Sequence, residues 1–159
     1  MSLAIAGMGW VTPLGNGVDA VWEQLAPGCT RHPRKNCRNS SVINLTALFE
    51  FPNPRWRSLA PHPRLRRASA ISRFAAAAGL EALQAAGVKV DPQNAERIAL
   101  VFAISNGGVI YTKRFYRDIV ETGAQSARPL LFPETVFNAP ASHLAAILGI
   151  TGATYTLGG

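Results

Sequence analysis

The sequence predicts an α/β fold with a largely parallel sheet. Residues 98–104 form a continuous apolar run, which is typical of a central strand covered on both faces. The alanine-rich residues 67–86 predict a long helix that ends at Gly87. Residues 132–148 predict a further helix, and the alternating run 153–157 after it predicts a strand. Because helices and strands alternate along the chain, we expect parallel strands joined by helices.

Composition narrows the class of protein. The 159 residues suffice for one domain with its own core, and an apolar content of 48% excludes a disordered chain. No apolar run approaches the length of a membrane span and no secretory signal is evident, so we expect a cytoplasmic protein. The formal net charge of +7 favours an acidic partner, which nucleic acid, a membrane surface or an acidic protein would provide.

The N-terminal segment predicts a strand, a turn and a helix. Residues 3–7 form a short apolar run that leads into a Gly-Met-Gly turn, and a helix is expected to follow Asn16 as its N-cap. The glycine pair resembles the start of a dinucleotide-binding fingerprint. However, Thr12 stands where that pattern has its third glycine, and no acidic residue closes a second strand at the right distance. We therefore expect a turn and not a nucleotide site.

Residues 29–67 predict a loop-rich basic region with a short strand at 41–45. Cys29 and Cys37 lie in this region, where two free thiols are favoured over a disulfide and the companion spacing of a zinc site is missing. The basic residues here and in the following helix favour either a solvated surface or a docking patch for an acidic partner. They fall into two groups: Arg31, Arg34, Lys35 and Arg38, then Arg55, Arg57, Arg64, Arg66, Arg67 and Arg73.

A glycine pair follows the central strand. Asn106 is the predicted cap of an amphipathic helix that Gly123 ends. Gly107 and Gly108 at its start would suit either an anion cradle or a tight strand-to-helix turn, and the turn is favoured.

The last predicted helix has signals at both ends. Pro133 and Glu134 suit a first helical turn, where a missing N–H is no loss and negative charge meets the helix dipole. Gly149 predicts a left-handed C-cap with the hydrophobic Ile150 behind it.

No catalytic, metal or cofactor site can be assembled from the sequence. His143 lies beside the apolar stripe of the last helix without a second histidine four residues on, so a packed or partly exposed core histidine is favoured over a ligand or a general base. His32 and His62 lie in arginine-rich loops, and the carboxylates are sparse and scattered. Three hydroxyl residues lack the context of a serine nucleophile: Ser105, Ser142 and Thr156.

Several segments in order resemble the N-terminal half of the β-ketoacyl-acyl carrier protein synthase family, which has the thiolase fold. The opening IAGMGWVTPLGNG at 5–17 resembles the family's TGxGxVTPLGNG start, and VWEQL at 21–25 resembles its first helix. Residues 67–87 resemble its R…SRFAxxAAxxALxxAG helix. The remaining matches are RIALVFAISNGG at 97–108, FPETVFNAPASHLA at 132–145 and GITGATYT at 149–156.

This resemblance implies the N-terminal half of a thiolase-like fold over residues 1–159, with a mostly parallel sheet, flanking helices and an incomplete central helical layer. The thiolase fold stacks two similar halves around that layer, so the apolar face of the sheet would lack its cover. Truncation of a longer protein, a dimer that covers the surface, or a different packing would each account for this. Truncation or partnership is favoured.

The resemblance does not carry the family's chemistry to this chain. The family's nucleophilic cysteine would lie just beyond Gly159, neither Cys29 nor Cys37 matches it, and the two supporting histidines belong to the family's second half. Ala153 also replaces the usual proline. We therefore expect a chain that is inactive by itself: a non-catalytic partner, such as a chain-length-factor-like protein, or a fragment of a condensing enzyme of fatty acid, polyketide or polyene synthesis.

The resemblance also implies two partner contacts. In the family, the strand before the nucleophile pairs across the dimer two-fold, which implies a homodimer, or a heterodimer with a ketosynthase-like chain, through Ala153, Thr154, Tyr155, Thr156 and Leu157. Basic residues just before the long helix dock acyl carrier protein in the family, and this chain has Arg64, Arg66 and Arg67 there. The alternative is a non-enzymatic module that binds such an acidic protein. Nucleic-acid binding would rest on charge alone and is not expected.

Overall fold

The computed structural model describes residues 2–26 and 62–159. The helices in these ranges are α1 (Val18–Leu25), α2 (Ala70–Ala85), α3 (Val109–Thr122) and α4 (Ala139–Leu148). The strands are β1 (Val11–Thr12), β2 (Gly15–Asn16), β3 (Leu100–Ile104) and β4 (Thr154–Gly158). Single 3₁₀ turns occur at Pro63–Arg67, Ala95–Arg97, Ala124–Ser126 and Phe132–Thr135. The predicted strand at 41–45, both cysteines, and the basic residues numbered 31 to 57 lie outside the described residues.

The main sheet is the parallel pair β3 and β4. Its register aligns Leu100 with Thr154 and Ile104 with Gly158. Because α3 and α4 both lie between the two strands in the chain, the crossover is helical, as the sequence predicts for a parallel sheet. β1 and β2 form a separate, short antiparallel hairpin.

The core lies between one face of this sheet and the helices α2 and α4. Its buried members are Leu65, Ala68, Ala76 and Leu144. Leu100 and Phe102 pack against them from β3. The opposite sheet face is bare: Val101 is 63% exposed, and its β4 neighbour Tyr155 is 61% exposed. The expectation that β3 is covered on both faces is therefore wrong for the described residues.

Helix α2 starts later than its sequence pattern suggests. The pattern predicts a start at Arg67, but the helix begins at Ala70 because Ser69 is in an extended conformation and caps it. The Ser69 side chain accepts a hydrogen bond from the backbone N–H of Ser72. The residues before the cap form the 3₁₀ turn Pro63–Arg67.

The N-terminal segment differs most from the prediction. Residues 3–7 form no strand in the described part of the chain. They approach α2 so closely that a Cβ on Gly7 would overlap the carbonyl oxygen of Ala82, and one on Gly9 would overlap that of Ala78. The glycine pair is thus explained by packing on a helix backbone. Helix α1 begins at Val18, with Gly17 and not Asn16 at its N-cap.

The predicted helix 132–148 is two elements. The turn Phe132–Thr135 ends where Val136 adopts an extended conformation, and α4 starts after it. The C-terminal signal is confirmed: Gly149 has a φ of 74°, and the buried Ile150 donates its N–H to the carbonyl of Ala145. β4 lies within one residue of its predicted position.

Candidate functional site

Three exposed arginines lie on one short turn, which we call the arginine turn (Pro63–Arg67). Leu65 within it is 0% exposed and anchors it in the core. At its start, Nδ1 of His62 accepts the N–H of Arg64 at 3.2 Å. A 3₁₀ helix has three residues per turn, so Arg64 and Arg67 project from the same side. The turn therefore places Arg64 and Arg67 side by side, with Arg66 on a neighbouring side of the same turn.

Within residues 2–26 and 62–159, none of these three arginines forms an ion pair. The ion pairs in these ranges join Arg128 to Asp118 and His143 to Glu134. All three are exposed, while Leu65 holds the backbone between them. An exposed guanidinium group without an ion-pair partner binds a carboxylate or a phosphate through two parallel hydrogen bonds. The arginine turn is thus a cationic surface on a fixed backbone.

A buried carboxylate lies behind the arginine turn. Glu134 is 6% exposed, and its Oε2 accepts the backbone N–H of Ser69 at 2.9 Å. Its Oε1 lies 2.7 Å from Nε2 of His143 on α4. We call these three residues the Glu134 clamp, because they connect the start of α2, the turn Phe132–Thr135 and α4.

The surroundings of Glu134 keep its carboxylate ionised. Burial raises the pKa of Glu134, but hydrogen bonds from His143 and from the Ser69 N–H, with the attraction of the His143 charge, lower it. The net pKa lies below the ordinary value of 4.5. A charged acceptor therefore faces the first turn of α2, where helix N–H groups favour negative charge.

The order of groups in the Glu134 clamp excludes one familiar chemistry. In a serine nucleophile relay the histidine lies between the serine and the carboxylate. Here Glu134 lies between Ser69 and His143, and the hydroxyl of Ser69 bonds to that of Ser72. His143 has the half-buried position that the sequence predicts. Its partner is not evident from the sequence, because Glu134 fits a helical first turn equally well.

The glycine pair after β3 forms a tight turn. Gly107 has a φ of 50°, and a Cβ there would meet the ring of Phe137 at about 3.1 Å. A Cβ on Gly108 would overlap the carbonyl oxygen of Glu134. Because the main chain of residues 134–135 fills the space beside Gly108, the turn interpretation is supported over an anion cradle. The N-cap of α3 is Gly108 and not the predicted Asn106. The carbonyl of Asn106 accepts the N–H of Val109.

The sheet presents an uncovered face and an open edge. Val101 and Tyr155 are register partners, and Leu157, which is 56% exposed, follows on the same side. The Ala153 carbonyl accepts the N–H of Leu100, so the peptide groups of Thr154, Thr156 and Gly158 point to the opposite edge of β4. No described strand pairs with that edge. The predicted dimer strand thus lies at the border of the sheet.

An open apolar cleft of about 400 Å³ lies between residues 9–12, α2 and Phe102. No group of three or more metal-ligating side chains occurs in ranges 2–26 and 62–159. None of the helices described there is long and apolar enough to cross a membrane.

Comparison with known proteins identifies a matching family model and several similar proteins. Residues 2–158 match the model of the β-ketoacyl synthase N-terminal domain. The chain is 25% identical over 155 residues to 3-oxoacyl-[acyl-carrier-protein] synthase 2 of Vibrio cholerae, covering 94% of this chain and 36% of the relative. It is 24% identical over 160 residues to nodulation protein E of Rhizobium leguminosarum bv. trifolii, covering 96% and 38%. The chain therefore spans little more than a third of these relatives.

Solved structures have the same fold. A β-ketoacyl synthase from Burkholderia phymatum superposes with a TM-score of 0.73 at 20% identity, over 95% of this chain and 38% of that one. The ishigamide ketosynthase/chain length factor superposes with a TM-score of 0.75 at 18% identity, over 97% and 39%. Together with the motifs and the parallel β3–β4 pair, these matches place the chain in the β-ketoacyl synthase family, as an N-terminal domain of thiolase-like fold.

Proposed function

We propose that these 159 residues work as the N-terminal framework domain of a β-ketoacyl synthase-like protein of fatty acid, polyketide or polyene synthesis. The observation that carries this proposal is the uncovered face of β3 and β4. Val101, Tyr155 and Leu157 lie there in register, and a large apolar side chain exposed on a regular sheet face favours a partner surface. A second domain or chain of the same fold would cover it.

The domain is proposed to contribute framework and contacts and not the condensing chemistry itself. The support for this is that the imidazole of His143 is directed to the carboxylate of Glu134. A chain-length-factor-like partner and a part of a condensing enzyme both fit this role. One solved structure of the same fold is a ketosynthase/chain length factor.

Strand β4 is proposed as the contact between copies or with a ketosynthase-like chain. The outward peptide groups of Thr154, Thr156 and Gly158 would pair with a strand of the partner. Tyr155 and Leu157 would add apolar contact on the bare face.

Polar substitutions on the bare face test the framework proposal. We expect the 159-residue chain to self-associate or to bind an apolar dye, and Val101→Lys with Tyr155→Lys to abolish both. Light scattering coupled to size-exclusion chromatography gives the mass. Leu130→Lys is the control, because Leu130 is 70% exposed and lies in a turn outside the strands. A wild-type monomer that binds no dye would overturn the proposal.

A second function, docking of acyl carrier protein, rests on the arginine turn. One solved structure of similar fold is a type II polyketide acyl carrier protein in complex with its ketosynthase, with a TM-score of 0.64 at 18% identity over 94% of this chain. For the present chain, the support is that Arg64, Arg66 and Arg67 are exposed on an anchored turn. Acyl carrier proteins are strongly acidic, so their carboxylates complement this surface.

The docking test compares two sets of three charge reversals. Arg64→Glu, Arg66→Glu and Arg67→Glu together are expected to weaken binding of holo acyl carrier protein roughly tenfold or more and to flatten its salt dependence. The matched control reverses Lys113, Arg114 and Arg117, which are likewise exposed, on α3. Equal losses for the two sets would indicate attraction by net charge alone. Unchanged, salt-insensitive binding would reject docking.

A further inference from the structure

We propose that Glu134 is a positioning residue for the arginine turn: by accepting the Ser69 N–H and pairing with His143, it fixes the place of the three arginines relative to α4. This inference rests on the docking function proposed above. It assigns a role in docking to a buried residue whose negative charge is opposite to that of the arginines.

The chain between the arginine turn and the Glu134 clamp is short. Only Ala68 separates Arg67 from Ser69, and Ala68 is itself buried. The Ala68 N–H donates to the carbonyl of Leu65 at 3.1 Å, and this hydrogen bond closes the arginine turn. Any shift of the Ser69 backbone therefore moves the arginines with it, since no flexible linker intervenes.

The acceptor at Ser69 is not supplied by the helix itself. A residue at a helix N-cap has no intrahelical partner for its own N–H. Oε2 of Glu134 fills this place from a different element, in a buried setting. Without it, the Ser69 N–H would be buried and unsatisfied, which favours a displaced or frayed start of α2.

The other side of Glu134 is held equally firmly. Its main-chain carbonyl lies against Gly108, where no Cβ would fit. The carbonyl of the next residue, Thr135, accepts the hydroxyl of Thr112 at 3.1 Å. The turn Phe132–Thr135 is therefore attached to the first turn of α3, and Glu134 transmits that position to Ser69.

A carboxylate is suited to this task because it has two oxygens and both are used. Glutamine would keep an oxygen for Ser69 but present an amide to His143, so Glu134→Gln retains one part of the clamp. Glu134→Ala removes both parts. Ser69→Ala leaves the Ser69 backbone N–H and its bond to Glu134 in place and removes the hydroxyl, which caps α2 and bonds to the hydroxyl of Ser72.

The experiment measures the affinity of holo acyl carrier protein for these three variants, together with the thermal midpoint of each. We expect Glu134→Ala to weaken binding about tenfold and Glu134→Gln to weaken it less. Alanine removes both charge-assisted hydrogen bonds of the carboxylate, whereas glutamine keeps an acceptor for the Ser69 N–H. Ser69→Ala should bind within about threefold of wild type although it also destabilises α2. The salt dependence should stay that of the wild type, since all three arginines remain.

The outcomes separate the two proposals. If reversal of the three arginines leaves binding unchanged, the docking function fails and this inference fails with it. If the arginine reversal weakens binding but Glu134→Gln and Glu134→Ala do not, docking stands and the positioning role is wrong. If Ser69→Ala weakens binding as much as Glu134→Ala, general destabilisation explains both and the positioning role is again wrong. Should Glu134→Ala not fold, Glu134→Gln against Ser69→Ala decides, with amide exchange at residues 64–69 as the readout.

Discussion

Nε2 of His143 lies 2.7 Å from Oε1 of Glu134, and this contact joins α4 to the preceding 3₁₀ turn. The same carboxylate accepts the Ser69 N–H through its other oxygen. A buried charge is tolerated here because each oxygen has a donor. The pair thus organises a junction of three elements.

The stability of the domain should depend on Glu134 at acidic pH. Its pKa in the folded chain lies below the ordinary 4.5, so its ionised form stabilises the fold above about 4.5 and that stabilisation is lost as the pH falls through the folded pKa. Urea unfolding at about pH 7 and about pH 3 measures the difference. Between the two pH values, the free energy of unfolding should fall less for Glu134→Gln than for the wild type. For Glu96→Gln, at an exposed position, it should fall as much as for the wild type. An identical acid loss in all three proteins would contradict this.

Glu81 should hold the N-terminal segment on α2. Its Oε2 accepts the Trp10 N–H at 3.0 Å, and its Oε1 accepts the Val18 N–H at 2.8 Å. Glu81→Ala leaves two part-buried donors without this acceptor, which should lower the free energy of unfolding by about 1–3 kcal/mol. Urea denaturation measures the loss, and Glu23→Ala on the exposed side of α1 is the control. Similar losses in both variants would count against the role of Glu81.

Gly9 should tolerate no side chain. A Cβ there would overlap the Ala78 carbonyl oxygen, whereas a Cβ on Gly15 meets its nearest atom at an ordinary 3.6 Å. Gly9→Ala should therefore destabilise the domain by about 1–3 kcal/mol, because the N-terminal segment must move off α2. Gly15→Ala should change stability by less than about 0.5 kcal/mol. Thermal unfolding of the two variants makes the comparison, and a stable Gly9→Ala would refute the close packing.

Leu65 should be the anchor of the arginine turn. It is 0% exposed and belongs to the core cluster. Leu65→Ala should cost about 2–5 kcal/mol by leaving a cavity. Leu130→Ala, at a 70% exposed position, should be close to neutral. Chemical denaturation of both variants checks this, and a near-neutral Leu65→Ala would mean that the turn is not held by the core.

The features that the sequence predicts well are those with local causes. β3, β4, the body of α2 and the Gly149 cap depend on apolar runs, alanine content and a left-handed glycine, which the nearby residues determine. The family motifs could be recognised for the same reason.

The features that the sequence predicts poorly depend on distant partners. Residues 3–7 are apolar enough for a strand, but the backbone of α2 holds the glycines that follow. Glu134 suits a helix start, but the Ser69 N–H and His143 draw its side chain into the core and the helix divides at Val136. Likewise, the apolar run of β3 could not reveal which neighbour covers each face.

The parallel pairing of β3 with β4 has a consequence for folding kinetics. The chain that forms α3 and α4 separates Leu100 from Thr154, so the contacts between β3 and β4 have a large sequence separation. Loop closure over such a length is entropically costly, and high contact order slows folding. During synthesis, β3 therefore emerges well before its partner strand and stays unpaired until the end of the domain is made. We expect chaperone dependence to concentrate in this interval.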